Sequence, residues 1–138
     1  MNIIQGLLID PAKKIAETIS FDPNLAEFYR LLNCDQISGC YLFNEEVSCT
    51  IVEAMPATFA SAELGGIPCT INQEWTQPIC GPFIVTGAPD EEGESTSITR
   101  DQIASIIKEI APAVCMVING EIKYKIRGHY SCIVPSNN

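Results

Sequence analysis

Apolar positions along the chain fall into short blocks separated by turn residues, and the spacing inside each block predicts an element. Ile3, Ile4, Leu7, Leu8 and Ile9 form a nearly continuous apolar run, the pattern of a strand covered on both faces or nearly so. Asp10-Pro11-Ala12-Lys13 is turn chemistry. Beyond it Ile15, Glu17, Ile19 and Phe21 alternate with Ala16, Thr18 and Ser20, Glu17 being the one misfit, and the two blocks are expected to pair as an N-terminal hairpin. Asp22 is placed to cap a helix with Pro23 at its first position, where a missing N–H costs nothing. Leu25, Phe28, Tyr29, Leu31 and Leu32 are the expected buried stripe of that helix, and Asn33 its close. The blocks Gln36 to Phe43 and Val47 to Ala54, joined by Asn44-Glu45-Glu46, predict a second hairpin.

The stretch from Gly81 to Pro112 is the most legible. Phe83 to Thr86 is a short, partly β-branched apolar run between Gly-Pro and Gly87-Ala88-Pro89, which predicts a buried strand. Thr99 stands three residues before Gln102, the spacing of a capping box in which hydroxyl and amide each satisfy a backbone N–H of the other residue. Ile103, Ile106, Ile107 and Ile110 then recur on one helical face, each worth about 2 kcal/mol if buried, with Lys108 and Glu109 left for water. Pro112 ends the helix, because the residue before a proline is pushed out of helical dihedrals. Val114 to Ile118 reads as a strand, and Asn119-Gly120 supplies the two positive-φ positions of a tight hairpin turn, so Glu121 to Arg127 should pair back. Tyr130 to Val134 is a last apolar segment ahead of a polar tail, residues 135–138, expected to be loose. Between the second hairpin and Gly81, residues 55–77 hold Pro56, Gly65-Gly66 and Pro68 and predict an irregular excursion with a short strand near Ile67 to Ile71, a natural place for a ligand-facing lid.

These elements sum to an α+β single domain over residues 1–138: a largely antiparallel sheet of about six to eight strands built from hairpins, with two helices packed on one face. At this size a domain buries roughly two thirds of the surface of its unfolded chain and holds a core without staples.

Charge and cysteines narrow the chemistry. The net charge of −9 argues against general binding to nucleic-acid phosphates and suits solubility, a basic protein partner or imitation of nucleic acid. No basic leader opens the sequence and no apolar run approaches the ~20 residues that cross a bilayer, so a cytoplasmic protein is expected. The cysteines, Cys34, Cys40, Cys49, Cys69, Cys80, Cys115 and Cys132, include no Cys-x-x-Cys pair; they read as small reduced core residues, with neither metal nor cofactor expected.

Three segments carry a resemblance. Gly6-Leu7-Leu8-Ile9-Asp10-Pro11, then Tyr29-Arg30-Leu31-Leu32-Asn33-Cys34-Asp35, then Gly81-Pro82-Phe83-Ile84-Val85-Thr86-Gly87 leading into Asp90-Glu91-Glu92-Gly93-Glu94, resemble in order and spacing the DUF3846-like group of small phage and bacterial proteins. The middle departs from that pattern, where a run of acids and an aromatic-rich segment would be expected, and the C-terminal hairpin looks like an extension. The resemblance implies a phage or mobile-element setting and supplies neither an activity nor a site.

Two surfaces are candidates for function. On a strand alternate residues share a face, so Lys123, Lys125, Arg127 and His129 should line one side of the last hairpin while Ile122, Tyr124 and Ile126 turn to the core. Three of the chain's eight basic side chains then stand in one row, suited to gripping phosphate oxygens; the plainer account is an edge strand whose lysines block unwanted sheet pairing. Trp75, in the 55–77 excursion, is a candidate ligand contact or, more plainly, a plug of the loop onto the core. Asp90, Glu91, Glu92 and Glu94 gather carboxylates that could face a basic partner, or simply solvate a loop ahead of a helix N-terminus. No nucleophile elbow, phosphate-binding glycine loop or metal-binding helix motif occurs, which leans against an enzyme. The expectation is a non-enzymatic accessory protein, oligomeric, that binds a host factor, foremost an anionic small molecule such as a nucleotide signal. The alternatives are an acidic protein inhibitor or DNA mimic, and an enzyme acting on a phosphorylated compound. Neither direct nucleic-acid binding nor membrane association is expected.

Overall fold

The computed structural model describes residues 2–43, 45–53, 65–75 and 77–133. In chain order the elements are β1 (Ile4–Asp10), β2 (Ile15–Phe21), α1 (Leu25–Leu32), β3 (Ile37–Cys40), β4 (Val47–Val52), β5 (Ile67–Asn72), β6 (Ile79–Cys80), β7 (Phe83–Gly87), α2 (Arg100–Glu109), β8 (Ile110–Ile118), β9 (Glu121–Ile126) and β10 (Ser131–Ile133). The protein is α+β, and its described strands divide between two sheets, ordered β10-β2-β1-β7-β4-β3 and β6-β5-β8-β9. The pairings are antiparallel apart from β10 with β2. No helix among the described residues is long and apolar enough to cross a membrane.

The period-2 alternation of β1 separates two apolar sets. Ile4 and Leu8 point to the side where Phe21, Val52 and Ile84 meet Phe28 and Leu32 of α1, with the rings of Phe21 and Phe28 edge to face at 5.3 Å. Leu7 and Ile9 point the other way, into a cluster with Ala16, Val47, Cys49, Phe83, Val85 and the α2 residues Ile103 and Ile106. That second cluster also takes in Ile79, Ile110 and Tyr130, so both sheets share it. The two helices therefore lie on opposite faces of the six-stranded sheet rather than together on one. β7, with α1 on one side and the shared core on the other, is buried along its length. Gly87 ends it where a Cβ would collide with the Thr96 hydroxyl and the Ser97 carbonyl, so the close approach of that segment requires glycine.

Local signals largely hold. Thr99 and Gln102 form the reciprocal capping box, and Ile110, expected on the helix, is already extended and opens β8. Asn119 (φ 53°) and Gly120 (φ 80°) make the tight turn between β8 and β9. For α1 the cap is Asn24, whose side chain accepts from the Glu27 N–H at 2.9 Å, and not Asp22; the helix starts at Leu25, two residues later than expected, so Pro23 precedes the cap instead of opening the helix. Leu25 is 55% exposed instead of part of the buried stripe, which is carried by Phe28 and Leu32 with Leu31 partly buried against the same cluster. The short strand expected near Ile67 is β5; most of the surrounding excursion, and the tail at 135–138, lie outside the described residues.

One expectation fails in a consequential way. β9 does alternate, with Lys123 opposite Met116 and Lys125 opposite Val114 on one face, and Ile122, Tyr124 and Ile126 on the other. The apolar set does not enter the core: Ile122 is 55% exposed, Tyr124 49% and Ile126 57%. β9 is the terminal strand of its sheet, and the burial on that face, at Cys69, Ala113 and Cys115, stops at β8.

Candidate functional site

The lysine face of β9 is the face on which Thr70, Ile79, Pro112 and Val114 stand, since the register sets Thr70 opposite both Ile79 and Pro112, and Val114 opposite Lys125. The Thr70 and Tyr130 hydroxyls hydrogen-bond at 2.5 Å in this buried region, and burial pushes the tyrosine hydroxyl well above its usual range. At the outer end of this face lies a cavity of ≈300 Å³ lined by Gly65, Val114, Met116, Lys125 and Arg127. Two of the four residues proposed as a basic row therefore meet at one concavity with an apolar floor.

Arg127 follows the last residue of β9. Its N–H donates to the Pro112 carbonyl at 2.8 Å, and its carbonyl accepts from Lys14 Nζ at 3.4 Å, so its backbone is held from two sides. Its Nη1 is buried and has no hydrogen-bond partner among the described residues. A guanidinium carries a permanent charge, and leaving one of its N–H groups dry and unpaired is more costly than for a neutral group. The other buried side-chain atom without a partner among the described residues, Thr18 Oγ1, is a neutral hydroxyl that can rotate. Lys125 is exposed at the rim of the same cavity. An anion entering there would meet a forked donor on one side and a point charge on the other.

The remaining candidates lie elsewhere. Lys123 shares the face but stands 3.9 Å from Glu121, both side chains well exposed, and is not among the described residues lining the cavity. His129 is exposed beyond Gly128. Trp75 is half-buried, donates through Nε1 to the Leu42 carbonyl at 3.2 Å and meets the Phe43 ring edge-on at 5.4 Å, so it fastens the turn after β5 onto the β3–β4 connection. Asp90, Glu91, Glu92 and Glu94 are all exposed. Asp90 Oδ1 accepts from the N–H groups of Glu92 and Glu94 at 2.9 and 3.0 Å, which gives that carboxylate a role in holding the turn. The described residues contain no group of three or more His, Cys, Asp or Glu side chains arranged for a metal ion.

Sequence reasoning missed Gly65 as a cavity wall and Lys14 as a support, since both reach the site from distant segments, and it missed Val114 and Met116 because the predicted hairpin gave their register but not the cavity beside it. A larger groove, ≈460 Å³, runs along Arg100, Ile103, Ala104, Ile107, Lys108 and Cys132. Its cations stand exposed at the margin of an apolar surface, without the buried unpaired donor that distinguishes the β9 cavity.

What fold and cavity define together is an α+β protein with a cation-flanked concavity at the edge of its smaller sheet. The chain belongs to the DUF3846 family, described as a domain of unknown function, whose model matches residues 4–111. That span stops early in β8, so Val114, Met116, Lys125 and Arg127 lie beyond it. No curated protein and no solved structure matches the chain.

Proposed function

We propose that this protein binds an anionic small molecule, foremost a nucleotide, in the cavity between Lys125 and Arg127, and acts by holding that molecule rather than by transforming it. The observation that carries the reading is the meeting of Lys125 and Arg127 at one concavity, with the Nη1 of Arg127 buried and unpaired among the described residues. The ≈300 Å³ volume lies at the lower end of the range for small-molecule sites. Val114 and Met116 offer apolar surface to a base or sugar, while the cations take the phosphate oxygens. A small binding protein of this kind fits a phage-type accessory role, sequestering a host nucleotide signal in the cytoplasm.

A thermal-shift panel of inorganic phosphate, pyrophosphate, mononucleotides and cyclic dinucleotides tests it. At least one member should raise the melting temperature; silence across the whole panel sinks the reading. Self-association belongs to the same proposal. Ile122, Tyr124 and Ile126 present an exposed apolar sheet face on the side away from the cations, and a second copy stacked there would leave the cavity open.

A second reading, an acidic inhibitor that occupies a basic protein site, is favoured by the exposed carboxylates of the 90–94 loop and the net charge of −9. A pull-down that fades between low and high salt, with no small-molecule response, would favour it.

A further inference from the structure

Register places two pairs of cysteines directly across from one another on adjacent strands: Cys40 opposite Cys49 between β3 and β4, and Cys69 opposite Cys80 between β5 and β6. All are free thiols. Directly opposed residues on antiparallel strands have Cα atoms about 4.5–5.5 Å apart, inside the range a disulfide spans without backbone movement. In both pairs a half-buried cysteine ends an edge strand, Cys40 on β3 and Cys80 on β6, and faces a fully buried partner, Cys49 or Cys69. They differ in what packs around them: Cys40 and Cys49 belong to the core shared by the two sheets, whereas Cys69 and Cys80 pack with Cys115 in a separate cluster. In the first pair the neighbouring Cys49 thiol lowers the Cys40 thiol to about 7, while Cys40 and burial push the Cys49 thiol up. On the other sheet burial pushes Cys69 up to about 12 and Cys80 up to about 11, so neither offers a thiolate at neutral pH.

We propose that Cys40 and Cys49 form an oxidisable dithiol, with Cys40 the residue that attacks a hydroperoxide and Cys49 the one that resolves it into a disulfide. The Cys40 thiolate attacks the distal peroxide oxygen, the O–O bond breaks, and the leaving hydroxide or alkoxide takes a proton, leaving Cys40 as a sulfenic acid. Cys49 sulfur then attacks the Cys40 sulfur, the S–O bond breaks, and the sulfenic oxygen leaves as water with the Cys49 proton. Two thiols and one hydroperoxide thus become one disulfide and two molecules of water or of water and alcohol. The new bond would tie the end of β3 to β4 beside the connection whose Leu42 carbonyl and Phe43 ring hold Trp75, stapling that contact in place.

The test is to expose the whole protein to hydrogen peroxide, block residual thiols by alkylation and map linked peptides by mass spectrometry. A Cys40–Cys49 bridge, seen as a loss of about 2 Da, should form at least ten times faster than any bridge among Cys69, Cys80 and Cys115. In Cys49→Ala the oxidation should stop at a Cys40 sulfenic acid that a dimedone-type probe traps, and Cys40→Ser should remove both the bridge and the probe adduct. Should either variant fold poorly, as judged by its melting temperature, the wild-type map alone decides. Cys40 and Cys49 recovered as free thiols after peroxide, or a Cys69–Cys80 bridge forming first, would overturn the proposal.

Discussion

Replacing Arg127 by methionine separates a donor awaiting a ligand from an ordinary structural arginine. Methionine keeps much of the apolar stem of a residue that lines the cavity with Val114 and Met116, and removes the guanidinium whose Nη1 is buried without a partner among the described residues. An unsatisfied buried donor costs about 1–3 kcal/mol, and since Arg127 is only half-buried the lower end, about 1 kcal/mol, applies. The opposing loss, attraction between this cation and the protein's surplus of carboxylates, is largely screened at about 0.15 M salt. In the ligand-free state Arg127→Met should therefore be more stable than wild type by about 1 kcal/mol, or roughly 3 °C in melting temperature for a domain of this size. With ligand present the order should reverse, because a ligand at 100 times its Kd adds about 2.7 kcal/mol to the wild type alone. Calorimetric melting of both proteins, with and without the best-responding panel member, reads both signs. A ligand-free Arg127→Met that melts several degrees below wild type would mean the guanidinium is already satisfied, and the reasoning would be wrong.

Other consequences follow from single contacts. Thr70→Val or Tyr130→Phe alone should each cost about 1–3 kcal/mol by orphaning the buried hydroxyl of the other, and the double variant less than their sum; additive losses in denaturant melts would deny the coupling. Alkylation of Cys40 should rise with pH through a midpoint about 7, since its lowered value keeps thiolate present down to that range, whereas an unperturbed thiol would titrate near ~8.5; a midpoint there would show that the neighbouring Cys49 thiol does not lower it. Light scattering should report an oligomer that Tyr124→Lys reduces to monomer, while a wild-type monomer at all concentrations would leave the apolar face of β9 unused.

What the sequence discloses is what neighbours along the chain decide. The capping box at Thr99 and Gln102, the Asn119-Gly120 turn and the β1–β2 and β3–β4 hairpins are local, and each was legible. The pairings of β7 with β1 and β4, of β5 with β8 and of β10 with β2 were not, because register between distant segments depends on both partners at once. That is why a single sheet was expected where the strands form two. β9 marks the limit most clearly: alternation tells which side chains share a face, but whether that face is covered depends on the strand's place in the sheet. Its apolar face was read as core and is open, and its cationic face was read as a row of four and is a pair at a cavity, with Lys123 beside Glu121 and His129 in the open. The unpaired Nη1 of Arg127 is a property of the folded environment, and nothing in its own segment announces it. Trp75 is legible as an aromatic in an excursion, but its tie to Leu42 and Phe43 depends on how two separate connections meet.

The most direct test of the account is isothermal titration calorimetry of wild type, Lys125→Ala and Arg127→Met with pyrophosphate and with the nucleotide that gives the largest melting shift. The account predicts saturable heat with wild type and affinity at least tenfold weaker in each variant, corresponding to about 1.4 kcal/mol or more per lost cation. Equal affinity in all three proteins, or no heat from any of these anions with wild type, would contradict it.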